Sequence, residues 1–589
     1  MKNLKNHGRQ VSLGLFSFLL CLIGTSCTNS DYDLDSLENL IGLGGDELVF
    51  PSSSTDTLKL ADILDVNEGD CIKLNAAGDY VFYRKGEDVS PAIPVIDKVT
   101  VYPKSLVGKE VPFPFVSSTV NVSPTTVLTF NYEGQKSDEI VGINKATIDD
   151  ATITVTFKFS SDMAEIKKID HIALNFPAYM VLSDVKSTAA STTVSGSKVT
   201  LTDIPTTPSV QTLTLHVTTL DFTQADKTLG QLTMTGNQMK IDGTVTMEMT
   251  SAGITKRSNT PGTITMEAAY DAMVINSATG YFKPTINLNN FGRANVGSVP
   301  DYLRDDNVVV DLSNPQINLN VTNNMNIQGN ITGVISSYKN SVATKTVTVN
   351  DIVLHPDVSA NAAGVTTKAS ICRTASTDAG TDYYVKSDLS ELIQTIPDYV
   401  TFTGSVVADE TRESTFRLGS NAGNKVNLSY EINAPLAFGE KAHIIYKDTT
   451  DNWNDDIKDY SLSKDAYVNI SANIENRVPA YLKLSAKAVD VNKKVLDNVN
   501  VDVTYGDGNS SIKASSDGVT SAYTPVNIKL SESTTGAMKQ VDGLLITADA
   551  TTQSDGAPTV VGVTLNSRNH CLIARDIVIK LVGKVVKEL

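Results

Sequence analysis

The chain has 589 residues, with 49 basic side chains against 66 acidic ones and a net charge of −17. A pI near 4.9 excludes the basic stripe that nucleic acid or anionic lipid headgroups require. With 41% hydrophobic and 20% charged residues the chain is globular, and at roughly 100–200 residues per domain it is too long for one core.

Residues 1–10 carry Lys2, Lys5 and Arg9 and no acid. Residues 11–23, VSLGLFSFLLCLI, are an apolar run of signal-peptide length, whereas a spanning helix needs about 20 apolar residues. The small residues GTS precede Cys27. This order resembles a bacterial lipoprotein signal, which implies removal of residues 1–26, acylation of Cys27 and anchorage in the outer membrane. Gly24 departs from that pattern, since an aliphatic residue is usual there, and bulky Leu20 makes Cys21 the poorer acceptor. An ordinary cleaved secretion signal is the alternative.

Next comes TNSDYDLDSLENL, in which Asp31, Asp33, Asp35 and Glu38 are acidic. It resembles the export tag of surface lipoproteins of Bacteroides-like bacteria, which implies cell-surface display, with the periplasmic face as the alternative. Residues 27–57 read as an acidic tether, and IGLGGDE at 41–47 as a flexible joint. The triplets DSL at 35–37, DTL at 56–58 and DTT at 448–450 resemble a Bacteroides O-glycosylation acceptor, which implies modification of Ser36, Thr57 and Thr449.

Beyond the tether, period-two alternation dominates. In residues 151–159 one face carries Ile153, Val155, Phe157 and Phe159. Leu213, Leu215 and Val217 follow the same rule, as do Ile241, Val245, Met247 and Met249, and then Ile317, Leu319 and Val321. Such alternation predicts half-buried antiparallel strands. Turn clusters at 195–198, 259–262, 505–511 and 553–558 punctuate the runs. The best helix is 388–396, with Asp388 and Glu391 at capping-box spacing and Pro397 as its stop. The expected fold is all-β, tandem antiparallel β-sandwich domains with a few short helices. The units are placed at 58–145, 146–290, 291–425 and 426–589.

A pattern of apolar-Pro-(Ala/Asp)-Tyr-apolar recurs at 176–180, 299–303, 396–400 and 478–482. Pro would set the bend into a strand while Tyr buries its ring and bonds a nearby backbone group. NVTNN at 320–324 is echoed by NIENR at 473–477. Both suggest traces of repeated β units. Asn314-Pro315 followed by QINLNVTNN is similar to a late-embryogenesis-abundant-type β-sandwich. The chain as a whole resembles the large β-rich surface lipoproteins of gut Bacteroides.

Catalytic signatures are missing. No two of His7, His171, His216, His355, His443 and His570 are close in sequence, and no GxSxG, P-loop or dinucleotide fingerprint occurs. Cys71, Cys372 and Cys571 are too far apart for a CxxC site and read as small buried side chains. Acidic residues abound, but sequence alone pairs none of them as a hydrolase would. One Trp and 6% aromatics count against a dedicated glycan platform. In residues 450–460, Asp451, Asn454, Asp455, Asp456 and Asp459 offer oxygen ligands suited to calcium, against the alternative of a solvated loop plugged by Trp453. These features lead to a non-enzymatic, lipid-anchored envelope protein, structural or adhesive, with a protein or glycan partner and no nucleic acid. The alternative is a binder or carrier of apolar ligand or glycan in a β groove, with the apolar face of 232–249 as its lining.

Overall fold

A computed structural model describes residues 40–43, 47–51, 54, 57–64, 71–86, 90–93, 95–288, 293–297, 299–359, 363–458, 460–463 and 465–588. The signal, Cys27 and Ser36 lie outside the described residues. Strands dominate, and among the described residues the α-helices are Leu60–Ile63 and Asn454–Ile457. The all-β antiparallel expectation holds.

The alternation seen in the sequence becomes the core. Ile153, Val155 and Phe157 are at most 1% exposed, as are Leu213, Leu215 and Val217. Their strands, Ile140–Phe159 and Val210–Asp221, pair with Val155 opposite Leu213 and Ile153 opposite Leu215. A one-residue slip would turn every one of these side chains to solvent, so the pattern itself sets the register.

These strands belong to a fourteen-stranded sheet built from residues 99–282 plus Ser414–Arg417. The two ends of its strand order, Met180–Ser187 and Ser191–Ser195, are consecutive in the chain. Thr192 Oγ1 donates to the Val185 carbonyl across them at 3.2 Å, so the sheet curls back on itself around its core. The border expected at 145/146 falls inside Ile140–Phe159, and this sheet takes strands from both sides of it.

A middle sandwich follows. Its five-stranded sheet contains Gly329–Lys339, Val342–Leu354 and Tyr399–Ala408. The facing six-stranded sheet contains Gln316–Asn323, Val365–Cys372 and Val426–Pro435, and it also takes Ile72–Leu74 and Tyr80–Lys85 from early in the chain. The border expected at 425/426 therefore separates strands that pair directly, Val426–Pro435 with Gln316–Asn323.

The third unit packs a six-stranded sheet, including Tyr467–Asn476, Ala522–Glu532 and Cys571–Val582, against His443–Thr449, Tyr481–Val489 and Gly543–Thr551. Trp453, Val468, Leu530, Leu544 and Ile579 fill the space between them. Glu47–Pro51 pairs with this sheet along Val578–Val582, and Leu58–Lys59 pairs with Cys571–Leu572. Leu40–Leu43 pairs with Val585–Glu588. The stretch expected to be a tether with a flexible joint thus contributes strands to the C-terminal unit.

The chain path is out and back. It climbs through the C-terminal unit at 40–59, enters the middle sandwich at 72–85 and forms the fourteen-stranded unit. It then returns through the middle at 285–435 and ends in the C-terminal unit at 443–588. The joints are packed. One apolar cluster runs without a break from the fourteen-stranded unit into the middle sandwich, and at the other joint Tyr302 meets Tyr446 edge-on at 5.6 Å.

Two local expectations fail. Residues 388–396 form only a 3-10 turn, Leu389–Leu392. Asp388 sits at φ −90° and ψ 2°, not in the extended conformation of a cap, its side chain makes no capping bond, and Glu391 is drawn to Lys345. So short a segment cannot offset helix nucleation without its cap. NTPG at 259–262 is not a turn but a register shift inside the strand Ser258–Tyr270.

Candidate functional site

The most convergent polar constellation lies at the end of Tyr467–Asn476. Glu475 is 1% exposed and accepts from Arg477 Nη2 at 2.9 Å, Ser521 Oγ at 2.7 Å and Arg575 Nε at 2.5 Å. These donors sit on neighbouring strands and their approaches, so the carboxylate clamps three segments. The Ser521 hydroxyl, then Arg575 and Arg477, hold it below the usual carboxylate range. A carboxylate saturated in this way is poorly placed to exchange a proton with a substrate. Sequence reading noticed NIENR as an echo and missed this cluster, because Arg575 is distant in the chain.

His570 lies close by, 3% exposed, with Nδ1 accepting from the Asn566 amide at 3.1 Å. Burial pushes it down to about 4, and Asp79 only partly opposes this. The other described histidines are scattered. His216 meets Asp150 at 2.8 Å and His355 meets Asp382 at 2.9 Å. Among the described residues no group of three His, Cys, Asp or Glu could hold a metal ion. Cys71, Cys372 and Cys571 are buried free thiols, as expected.

Among the described calcium candidates, Asp451, Asn454 and Asp455 each have partners of their own. Asp451 accepts from Asn452 Nδ2 at 2.6 Å and faces Lys493 at 3.7 Å. Asn454 donates Nδ2 to the Lys539 carbonyl at 2.7 Å. Asp455 points to solvent with Lys458 at 3.1 Å. The Asp456 side chain and all of Asp459 lie outside the described structure. Trp453 is 9% exposed and plugs the C-terminal core. Of the glycosylation candidates, Thr57 is exposed and Thr449 is half-buried at the end of an edge strand.

The Pro-Tyr pattern divides. Tyr179 is fully buried and donates to the Asp242 carbonyl at 2.8 Å, and buried Tyr481 donates to the Pro558 carbonyl at 2.7 Å. Tyr399 instead stacks on Tyr338 with centroids 4.8 Å apart, and Tyr302 sits in the 3-10 turn Asp301–Arg304. The expected role holds for the first two only.

The face of 232–249 is no open groove. Met239, Ile241, Val245, Met247 and Met249 are at most 1% exposed within the core of the fourteen-stranded unit. Apolar space occurs instead in the middle sandwich, as a cavity of about 50 Å³ between its sheets. Ile335, Val400 and Phe402 line it from one side, and Leu319, Ile371 and Leu428 from the other. A second cavity of about 20 Å³ lies among Phe82, Val310 and Leu436 at the joint to the C-terminal unit. No carboxylate lines either cavity.

No protein-family model matches the chain, and no curated protein matches it. Among solved structures, a protein of Parabacteroides distasonis whose secretion is inferred aligns over 52% of this chain and 83% of its own, at 15% identity and a TM-score of 0.35. The structure of Sulfolobus Turreted Icosahedral Virus aligns over 86% and 91%, at 7% identity and a TM-score of 0.10. Scores this low assign no shared fold.

Proposed function

We propose that this chain is a non-catalytic, lipid-anchored protein of the outer membrane, structural or adhesive, which carries stacked β units away from the bilayer to meet a protein or glycan partner. The signal-like segment ending at Cys27 supports the anchor. Packed joints support the mechanical part, one apolar cluster running from the fourteen-stranded unit into the middle sandwich and another from there into the C-terminal unit, and they are the observation on which this reading chiefly rests. An element that projects a binding surface needs stiffness between its units, and continuous apolar packing supplies this where a flexible linker would not. The acyl chains on Cys27 are the anchor in this reading; no helix among the described residues is long and apolar enough to cross a membrane.

Protease shaving of intact cells, with wild type and Cys27→Ala compared, tests it. Loss of the body from intact wild-type cells, together with release of the Cys27→Ala chain from membranes, supports a surface anchor. Protection until the outer membrane is opened contradicts display. The cavity of about 50 Å³ favours one second reading, uptake of a small apolar ligand between the sheets of the middle sandwich.

A further inference from the structure

We infer that the C-terminal β unit, not the first one in the chain, is the membrane-facing end, and that the fourteen-stranded unit is the outward end. This rests on the reading that Cys27 carries the lipid.

Leu40–Leu43 pairs with Val585–Glu588, and the same C-terminal strand pairs with Tyr460–Leu462 on its other edge. This small sheet lies at the pole of the C-terminal unit remote from the middle sandwich. Three strands fix that direction. His443–Thr449 starts at the joint, where His443 bridges Val309, and runs away from it toward Trp453. Cys571–Val582 starts beside His570 and Asn566, which bridges Asp79 of the joint, and runs the same way. Glu47–Pro51 is antiparallel to it, with Glu47 opposite Val582, so the chain leaves the remote pole and climbs toward the joint. Cys27 lies thirteen residues before Leu40, a reach of at most about 45 Å. The lipid is therefore tied to the remote pole of the C-terminal unit.

The opposite end follows from Ile140–Phe159. Its start pairs with Phe282 and Tyr281, and the chain goes on from Phe282 to Thr285–Asn287, which pairs with Tyr399–Ala408 of the middle sandwich. Its end pairs with Ile264, roughly 60 Å further along a continuous strand. Past that point, Val111–Phe115 continues along Ser258–Ile264, so Val116 marks the outward tip. A reading of domains in chain order would place residues 58–145 next to the bilayer. The out-and-back path reverses that order.

The test uses the full-length lipidated protein extracted from membranes and reconstituted in vesicles that contain an energy-acceptor lipid. A donor dye is placed on Asp455→Cys, where the native side chain is 91% exposed, or on Val116→Cys, 70% exposed. The native thiols at Cys71, Cys372 and Cys571 are buried and remain unlabelled. The expected result is loss of most donor emission at residue 455 and almost none at residue 116. Equal or stronger loss at 116, in protein that floats with the vesicles, overturns the orientation and leaves the anchor standing. Wild type that fails to float overturns the anchor and the orientation with it.

Discussion

Asn323 and Asn476 occupy the same corner in two different β units. Both are 0% exposed and each ends a central strand. Asn323 Oδ1 accepts from the Met325 amide at 2.9 Å, and its Nδ2 lies within reach of the Met325, Ile327 and His355 carbonyls. Asn476 Oδ1 accepts from the Val478 amide at 2.7 Å, and its Nδ2 faces the Ala480 and Lys513 carbonyls. The likeness extends to the next shell. Thr367 Oγ1 accepts from the amide of His355, and Thr524 Oγ1 accepts from that of Lys513, both at 2.9 Å. A buried amide that satisfies several backbone groups at a chain reversal tolerates no smaller side chain. Asn323→Ala and Asn476→Ala are each expected to destabilise their unit by about 3 kcal/mol, read by denaturant unfolding. Asn→Asp fails as well, because a carboxylate cannot donate to the carbonyls.

Two tyrosines in the fourteen-stranded unit should respond oppositely. Tyr179 spends its hydroxyl on the Asp242 carbonyl, whereas the buried hydroxyl of Tyr132 has no hydrogen-bond partner among the described residues. Tyr179→Phe should cost about 1 kcal/mol, while Tyr132→Phe should be neutral or stabilising. Paired thermal unfolding of the two variants checks this.

Acid should loosen the joint between the C-terminal and middle units. His570 is held neutral by burial, at about 4 against an ordinary 6.5. The unfolded chain therefore binds the extra proton. The contribution is complete above about pH 6.5 and is lost as pH falls toward 4, by up to about 3 kcal/mol. His570→Gln should flatten stability across that window, as measured by urea midpoints at several pH values.

At the same joint, Asp311 is 0% exposed and accepts from Arg373 Nη1 at 3.0 Å and from the Lys441 amide at 3.0 Å. Asp311→Ala should cost about 2–3 kcal/mol by leaving that amide unpaired. Because the loss is local to the joint, proteolysis should release the C-terminal unit from the middle one earlier than in wild type.

The cavity of the middle sandwich gives the apolar-ligand reading its own test. A dry apolar space takes up xenon or benzene. Either probe should raise the unfolding temperature of wild type, and Ala294→Leu, which fills the cavity from its wall, should abolish that shift.

The strands were legible because their period-two pattern is local, as Val155 opposite Leu213 shows. The repeated corner was half legible. NVTNN and NIENR stood out as strings, but the shared bonds of Asn323 and Asn476 appear only in three dimensions. The unit borders were not legible. Strand pairing between Glu47–Pro51 and Val578–Val582 joins residues more than 500 apart, and no composition shift marks it. The helix at 388–396 misled because its capping spacing was sound while its Glu391 had a stronger partner in Lys345.

The out-and-back path is tested most directly by hydrogen exchange at the amides of Leu48, Val49 and Phe50 in the full-length protein. If these residues are stitched to the C-terminal sheet, those of the three amides that alternate toward Ile579–Leu581 exchange far more slowly than in a free peptide. Exchange of all three amides at the rate of a free peptide, with the partner strand still protected, would contradict the path and return residues 27–57 to the role of a simple tether.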